Sequence, residues 1–417
     1  MERQRLKVLL GCYACSPYFG SEPGTGWNFV RTIAQYHDVH AIVEKDEFEE
    51  DLARYSAEHP DDVKNITFHF VKRHHHNILR KIWPPSYYWF YRAWQKRAYK
   101  LAVKLHQKEK FDIVHQVSLI GYREPGYLWK LDLPYIWGPL GGLNQTAWCL
   151  LRGMSFHTKL YFLMRNILNW YQKNFSSLVR SAAARAHTIF VSDPQGIQDV
   201  RTLWRKEPRI MREVGTNRTD TSITLSSHAP GTPLKICWVG ELIPLKALDI
   251  LLEAITYCKH SMQVEVLGRG PELDSWKKKC VDLGLEHCVT FHGFVPHDTV
   301  SGILCSSHVL CVTSIKEGGT STVVLEALQC GLPIITLNHC GHASVVHEQC
   351  GFKVDIHSRL QIVRDIAAHL DELANNEELR SSFAQSALQH SLNYTWEKNG
   401  KLLDAVYQDA VRESRSG

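Results

Sequence analysis

No run of about 18 uncharged apolar residues occurs in the 417-residue chain, which excludes a membrane-spanning helix. A secretory leader is missing too, because Met1 to Lys7 is charged and leads straight into a strand-like segment. The expected compartment is therefore the cytoplasm. No repeat relates the two halves, and no Asp-x-Asp motif is placed to hold a metal; Asp61-Asp62 sits in a polar stretch and reads as solvated. A disulfide or zinc framework is also lacking. The twelve cysteines are scattered, and Cys12-Tyr-Ala-Cys15 has no second ligand pair to match it. Cys237, Cys258, Cys311 and Cys330 lie in apolar runs, where a thiol behaves as a small hydrophobe, and His339, Cys340 and His342 are read as structural in the same way.

What remains is an ordinary globular composition, 44% apolar and 22% charged, in a chain long enough for two domains with separate cores. Short apolar runs rich in Val, Ile and aromatics predict strands at Leu6–Tyr13, Val39–Val43, Ile66–Val71, Phe111–Val117, Tyr135–Gly138 and Thr188–Ser192. Three-and-four periodicity predicts helices over Gly26–Tyr36 and Tyr87–Leu105. A polar Ser/Thr/Pro/Gly stretch, Thr219–Pro233, reads as a linker. Alternation then restarts, with strands at Lys235–Val239, Gln263–Leu267, Val289–Phe294, His308–Thr313 and Pro333–Thr336, and helices at Ala247–Tyr257, Glu272–Leu283 and Thr322–Gln329. Such alternation makes parallel sheets covered on both faces. The expected fold class is α/β, with two Rossmann-like domains facing a central cleft: an N-terminal domain (1–218), the linker (219–233) and a C-terminal domain (234–393).

Two glycine-rich segments carry candidate chemistry. Gly20-Ser-Glu-Pro-Gly24-Thr-Gly26-Trp27 falls between a strand and a helix, where an anion would meet unpaired N–H groups. Glu44 ends the next strand, where a dinucleotide enzyme keeps its ribose-binding acid, but the spacing is GxxxGxG rather than GxGxxG. A tight strand-to-helix turn is the alternative. The second segment runs Ser314-Ile-Lys-Glu317-Gly318-Gly319-Thr320-Ser321-Thr322-Val-Val-Leu-Glu326-Ala-Leu-Gln-Cys-Gly331-Leu-Pro333. Gly318 and Gly319 open the backbone, and Thr320, Ser321 and Thr322 bring hydroxyls and amides to a helix start suited to a diphosphate. Glu326, one turn on, is placed to accept from ribose hydroxyls.

This second segment resembles the nucleotide-sugar signature of family-4 retaining glycosyltransferases, which have the GT-B fold. Glu326 followed by Ala-Leu-x-x-Gly-x-Pro matches; Glu317 stands nine positions before it, where the family spacing is about eight. Trp238-Val-Gly240-Glu241-Leu-Ile-Pro-Leu-Lys246 resembles the family's phosphate-holding strand and loop, with Lys246 matching and Glu241 standing where an Arg is usual. Arg269 is a candidate substitute cation, or else a solvated turn residue. Phe291-His-Gly293-Phe294-Val-Pro296 is similar to the segment around the base. The Gly20–Trp27 loop and Ile136-Trp-Gly-Pro-Leu-Gly-Gly142 resemble a subgroup that builds bacterial surface polysaccharides. Tyr394-Thr-Trp396-Glu-Lys matches a final helix (394–417) that returns to the N-terminal domain.

The resemblance implies transfer of a sugar from a nucleotide-diphosphate donor to a saccharide or lipid-linked saccharide, with retention and with neither metal nor cofactor. It assigns catalysis to Lys246, Glu317 and His115, the last at the end of the Phe111–Val117 strand, where a histidine hydrogen-bonded within the sheet edge is the alternative. Donor binding falls to Gly24, Gly240, Arg269, Gly293, Phe294, Gly318, Gly319, Thr320, Ser321, Thr322 and Glu326, and the acceptor side to Arg123 and Glu124. A retaining glycosidase would need two carboxylates flanking the sugar bond, and no such pair stands out. A sugar-nucleotide epimerase or hydrolase of this fold, and a non-catalytic relative, are the competing readings. An anionic membrane surface is a candidate partner, because Arg92, Lys96, Lys100 and Lys104 step by four beside an apolar helix face, and Trp83, Trp89 and Lys159–Lys173 add aromatic and basic groups. The alternative is a core-packed helix with a solvated basic side. No nucleic-acid module accompanies the charge.

Overall fold

The computed structural model describes residues 4–73, 87–151, 156–217, 223–229 and 231–416. Trp83 and linker positions 219–222 and 230 fall outside them. The chain divides into two compact units, one formed by Met1–Leu143, Ile167–Val214 and Trp396–Gly417, the other by Asn144–Asn166 and Gly215–Thr395.

In the first unit, β1 (Lys7–Cys12), β2 (Asp38–Glu44), β3 (Ile66–Val71), β4 (Ile113–Ser118), β5 (Tyr135–Leu140), β6 (Ala186–Val191) and β7 (Arg209–Ile210) form a parallel sheet. Their order among the described residues is β3-β2-β1-β4-β5-β6-β7. Every residue of β4 and β5 is buried, as expected for central strands covered on both faces. The covering helices include α1 (Ser21–Ala34), α2 (Lys45–Glu58), α3 (Tyr87–Glu109), α4 (Phe156–Phe175, whose second half belongs here) and α5 (Ser177–Arg185).

Helix α1 begins five residues before the periodicity predicted, so Gly24 and Gly26 lie inside it rather than in a loop. Gly26 is required by packing: a Cβ there would stand 2.0 Å from the Ala14 carbonyl oxygen. Glu44 is a helix cap, its carboxylate accepting from the backbone N–H groups of Asp46 and Glu47 at 2.9 and 2.8 Å.

The second unit holds β8 (Leu234–Val239), β9 (Met262–Leu267), β10 (Val289–Gly293), β11 (Val309–Val312), β12 (Ile334–Leu337) and β13 (Gly351–Val354), parallel and ordered β10-β9-β8-β11-β12-β13. The order reverses between β8 and β11, which opens a crevice at their C-terminal ends. Around this sheet lie α6 (Leu248–Ile255), α7 (Leu273–Asp282), α8 (His297–Ser306), α9 (Thr322–Gln329), α10 (Arg359–Asn375) and α11 (Glu377–Ser391). Cys330, expected as a free thiol, is disulfide-bonded to Cys305, tying the end of α9 to α8. The final helix, α12 (Trp396–Ser416), lies in the first unit, where Gly400 lets it close on Tyr36 and Thr32 of the α1 region. Among the described residues, no helix is long and apolar enough to cross a membrane.

Candidate functional site

The loops that leave β8, β9 and β10 are stitched together by their own backbones. Gly240 N–H donates to Leu267 O at 3.0 Å, Gly268 N–H to Gly293 O at 2.8 Å, and Leu242 N–H to Arg269 O at 2.9 Å. Gly268 has φ +140° and sits so close to Gly240 that a Cβ would lie 1.8 Å from its carbonyl oxygen. Only glycine fits there. These loops wall a cavity of about 600 Å³ lined by Val239, Gly240, Leu267, Arg269, Phe294 and Val300 among others. The Arg269 guanidinium lies over the Phe294 ring, 4.8 Å from its centroid. Volume, apolar walls and a cation–aromatic pair suit a flat heterocycle. Arg269, expected as a phosphate cation or a solvated turn, is thus a wall of this cavity.

Beside the cavity, the side-chain stem of Lys246 runs past Gly240. Its loop is pinned to the end of β11, where Thr313 Oγ1 donates to Lys246 O at 2.8 Å and accepts from Trp238 Nε1 at 3.0 Å. The ammonium meets the Glu317 carboxylate in a close ion pair, and each side chain is 18% exposed. His342, 1% exposed, places Nε2 at 3.8 Å from the same Glu317 oxygen. Neither of its ring nitrogens has a hydrogen-bond partner among the described residues. Burial pushes the Glu317 carboxyl up, but His342 and Lys246 pull it further down, and the balance holds its pKa at about 2. Glu317 is therefore a fixed anion that positions Lys246 and accepts hydrogen bonds; it has no proton to give near neutral pH.

Next along the chain, Gly319 passes close to Gly341, where a Cβ would stand 2.5 Å from Gly319 O. Helix α9 then starts with Ser321 at its cap, whose side chain makes no capping hydrogen bond. The first-turn amides and the helix dipole face the region where Thr320, Ser321 and Thr322 lie, which is chemistry for a phosphate. Glu326 follows one turn later, its Oε1 2.9 Å from His297 Nε2 on α8. Lys246, Glu317 and the start of α9 thus sit together in the second unit, with Gly240, Gly293, Arg269 and Phe294 on the cavity side.

The first-unit candidates are placed differently. His115 is fully buried, with Nε2 2.7 Å from Gly138 O and Nδ1 2.5 Å from Tyr407 Oη. Gly138 O can only accept, so Nε2 carries the proton and Nδ1 accepts from the tyrosine. No nitrogen remains for a sugar. Gly24, expected in a donor-binding loop, is in the first turn of α1, where a Cβ would meet Phe19 O at 2.5 Å. Glu124 pairs with Arg92 through both oxygens, and Arg123 donates to Asn169 Oδ1 at 2.8 Å. On α3, Tyr91, Trp94, Ala98 and Ala102 are buried in the core, so its basic stripe is a solvated side rather than the edge of a free apolar face.

One residue beside Lys246 and Glu317 was concealed by the pattern. His342 was read as structural, and its only signal is a histidine soon after the strand next to the glycine segment. In the first unit, apart from these residues, Glu22 accepts from Ile120 N–H at 3.3 Å, and burial raises its carboxyl to about 7.

Residues 222–390 match the family model described as Glycosyl transferases group 1. A D-inositol 3-phosphate glycosyltransferase of Corynebacterium jeikeium (strain K411) is 26% identical over 314 residues, covering 69% of this chain and 74% of the relative. Other D-inositol 3-phosphate glycosyltransferases align over only about half of their length. Among solved structures, Anabaena Alr3699/HepE in complex with UDP and glucose superposes with a TM-score of 0.62 at 13% identity, covering 97% of this chain and 100% of the other. WaaG, a glycosyltransferase involved in lipopolysaccharide biosynthesis, gives a TM-score of 0.58 at 18% identity over 95% and 99%. The chain has the GT-B fold, carries a glycosyl transferases group 1 domain across its second half, and is a glycosyltransferase.

Proposed function

We propose that the enzyme transfers a sugar from a nucleotide-diphosphate sugar to a saccharide or lipid-linked saccharide, with retention at the anomeric carbon, in the cytoplasm and in the service of cell-surface polysaccharide synthesis. One observation carries the donor half of this reading: Lys246 and the start of α9 stand together beside a cavity of nucleoside size. The heterocycle fills the cavity against Arg269 and Phe294, and Glu326 takes the ribose hydroxyls. Gly318, Gly319 and the α9 amides receive the diphosphate, and Lys246 neutralises the charge that grows on it as the sugar bond loosens. Glu317 accepts from the sugar hydroxyls while holding Lys246 in place. The acceptor hydroxyl enters from the face the phosphate leaves, and the phosphate oxygen takes its proton, so no carboxylate base is required. Catalysis is then positioning and electrostatics, supplied by fixed protein cations and dipoles, with no metal requirement. HepE bound to UDP and glucose, on the same fold, supports a nucleotide-sugar donor.

The test is thermal stabilisation by a panel of nucleotide diphosphates and nucleotide sugars, with and without EDTA, on wild type and Glu326→Ala. A melting shift with one nucleotide class that survives EDTA and disappears in Glu326→Ala supports the site and names the base. A shift that EDTA abolishes overturns metal independence, and no shift with any nucleotide overturns the donor site. The anomeric configuration of the product by NMR decides retention.

A further inference from the structure

Helix α4 is amphipathic the wrong way round. Its inward side is polar. Asn166 exchanges hydrogen bonds with Thr146 at 2.9 and 3.1 Å, and Asn169 accepts from Tyr122 Oη at 2.5 Å. Lys173 donates to Leu143 O at 2.9 Å and pairs with Asp199 at 2.7 Å. Of the helix's large apolar side chains, Phe162 alone is fully buried. The outward side is apolar: Leu160, Met164, Ile167, Tyr171 and Phe175 step by four, three, four and four, each more than 40% exposed. At about 100° per residue, the exposed apolar side chains fill an arc roughly 180° wide, and Lys159 and Arg165 fall at its two edges. Five exposed aromatics at roughly 100 Å² each amount to about 500 Å², as large as the largest patch on an ordinary monomer before the aliphatics are added.

Charge decides what covers this face. From Leu133 to Ser192 the sequence has no Asp or Glu, while Lys and Arg occur six times. A second copy of the chain, meeting the face about a two-fold axis, would set Lys159 and Arg165 against their own equivalents with no acid of this segment to offset them. An anionic lipid surface offers what the face lacks, hydrocarbon for the arc and phosphates for its basic edges. Tyr and Trp at the boundary suit the headgroup layer.

We propose that the outward face of α4 is a membrane-docking surface, with the helix lying in the plane of an anionic bilayer and its aromatic arc among the headgroups. This stands apart from the donor reading and holds whatever sugar is moved.

The experiment is vesicle flotation of the full chain, using phosphatidylcholine alone and phosphatidylcholine with roughly one-third phosphatidylglycerol. Wild type binds the anionic vesicles, binds the neutral ones about tenfold less, and is released by high salt. Ile167→Ser/Trp170→Ser/Tyr171→Ser and Lys159→Glu/Arg165→Glu each lose about tenfold in vesicle binding while keeping the wild-type melting temperature and nucleotide-induced shift. Wild type alone settles the matter if a variant fails to fold. Absence of binding to anionic vesicles, or equal binding to neutral ones at any salt, overturns the proposal. So does a salt-stable dimer in sedimentation that hides the face from vesicles.

Discussion

At Lys246 two carboxylate-independent facts meet: the stem is confined between Gly240 and the β11 end, and the charged head is mostly out of water. A cation in such a place is stable only with a partner, which Glu317 supplies. A diphosphate arriving at α9 offers a second partner, so the ammonium turns from one anion towards two without being desolvated anew. Lys246→Ala should lower kcat by about 10²–10³-fold with a smaller change in KM, because its main interaction grows with the leaving charge. Steady-state kinetics at saturating donor checks this, and an equal rise in KM at unchanged kcat would assign Lys246 to ground-state binding instead. The Glu317 pKa of about 2 fixes a sign as well. A carboxyl depressed from its ordinary value of about 4.3 stabilises the fold fully above that value and loses the contribution only as pH falls through about 2. Glu317 should therefore leave no limb in the kcat/KM profile at weakly acidic or neutral pH. An acid limb between about pH 5 and 7 that vanishes in Glu317→Gln would contradict the fixed-anion role.

Elements explain which features were legible in the chain. Buried parallel strands are continuous apolar runs, so β1 to β6 and β8 to β12 were located to within two or three residues, and helix α9 to the residue. Strands β7, with two exposed residues, and β13, Gly-Phe-Lys-Val, carry no such run and escaped notice. Helix α1 was shortened because Gly24 and Gly26 read as a loop, whereas their missing side chains serve close packing onto the Phe19 and Ala14 carbonyls. Helix α4 was noticed only as the aromatic and basic segment Lys159–Lys173 and not as a helix: pattern reading sends the apolar side inward, and here Asn166, Asn169 and Lys173 point inward instead. Lys246, Glu317 and Glu326 were singled out from an ordered motif, while His297 and His342 needed the fold to bring α8 and the β12 loop beside them. Close approach gives a further test at this scale. Gly268→Ala must part the β8 and β9 loops and adopt a φ that L residues avoid, so it should cost about 1–3 kcal/mol and enlarge the cavity mouth. Urea unfolding should show the loss, with nucleotide affinity falling alongside; an unchanged midpoint would mean the loops part freely.

Over the whole molecule, pH acts through groups that folding has moved out of water. Burial drives His37, His115 and His308 down to about 4, against the pull of Asp404 on His37, of the Gly138 carbonyl on His115 and of Glu377 on His308. An imidazole lowered from about 6.5 binds a proton in the unfolded chain before it does so in the fold, so stability rises with pH between about 4 and 6.5. Glu22 works the other way: a carboxyl raised to about 7 holds its proton in the fold, so stability falls as pH rises from about 4.3 to 7. Burial raises Glu44 and Asp193 too, while His40, His69, His106, His339 and His390 join the lowered imidazoles. Lowered imidazoles outnumber raised carboxyls, and the net slope follows them. The melting temperature should therefore fall by several degrees from pH 7 to pH 5 at constant ionic strength, as each unmatched proton costs up to 1.36 kcal/mol per pH unit. Differential scanning calorimetry across that range decides it. A melting temperature that rises on acidification would show that the buried carboxyls, with Glu22 first among them, outweigh the histidines in the balance that holds the two units folded.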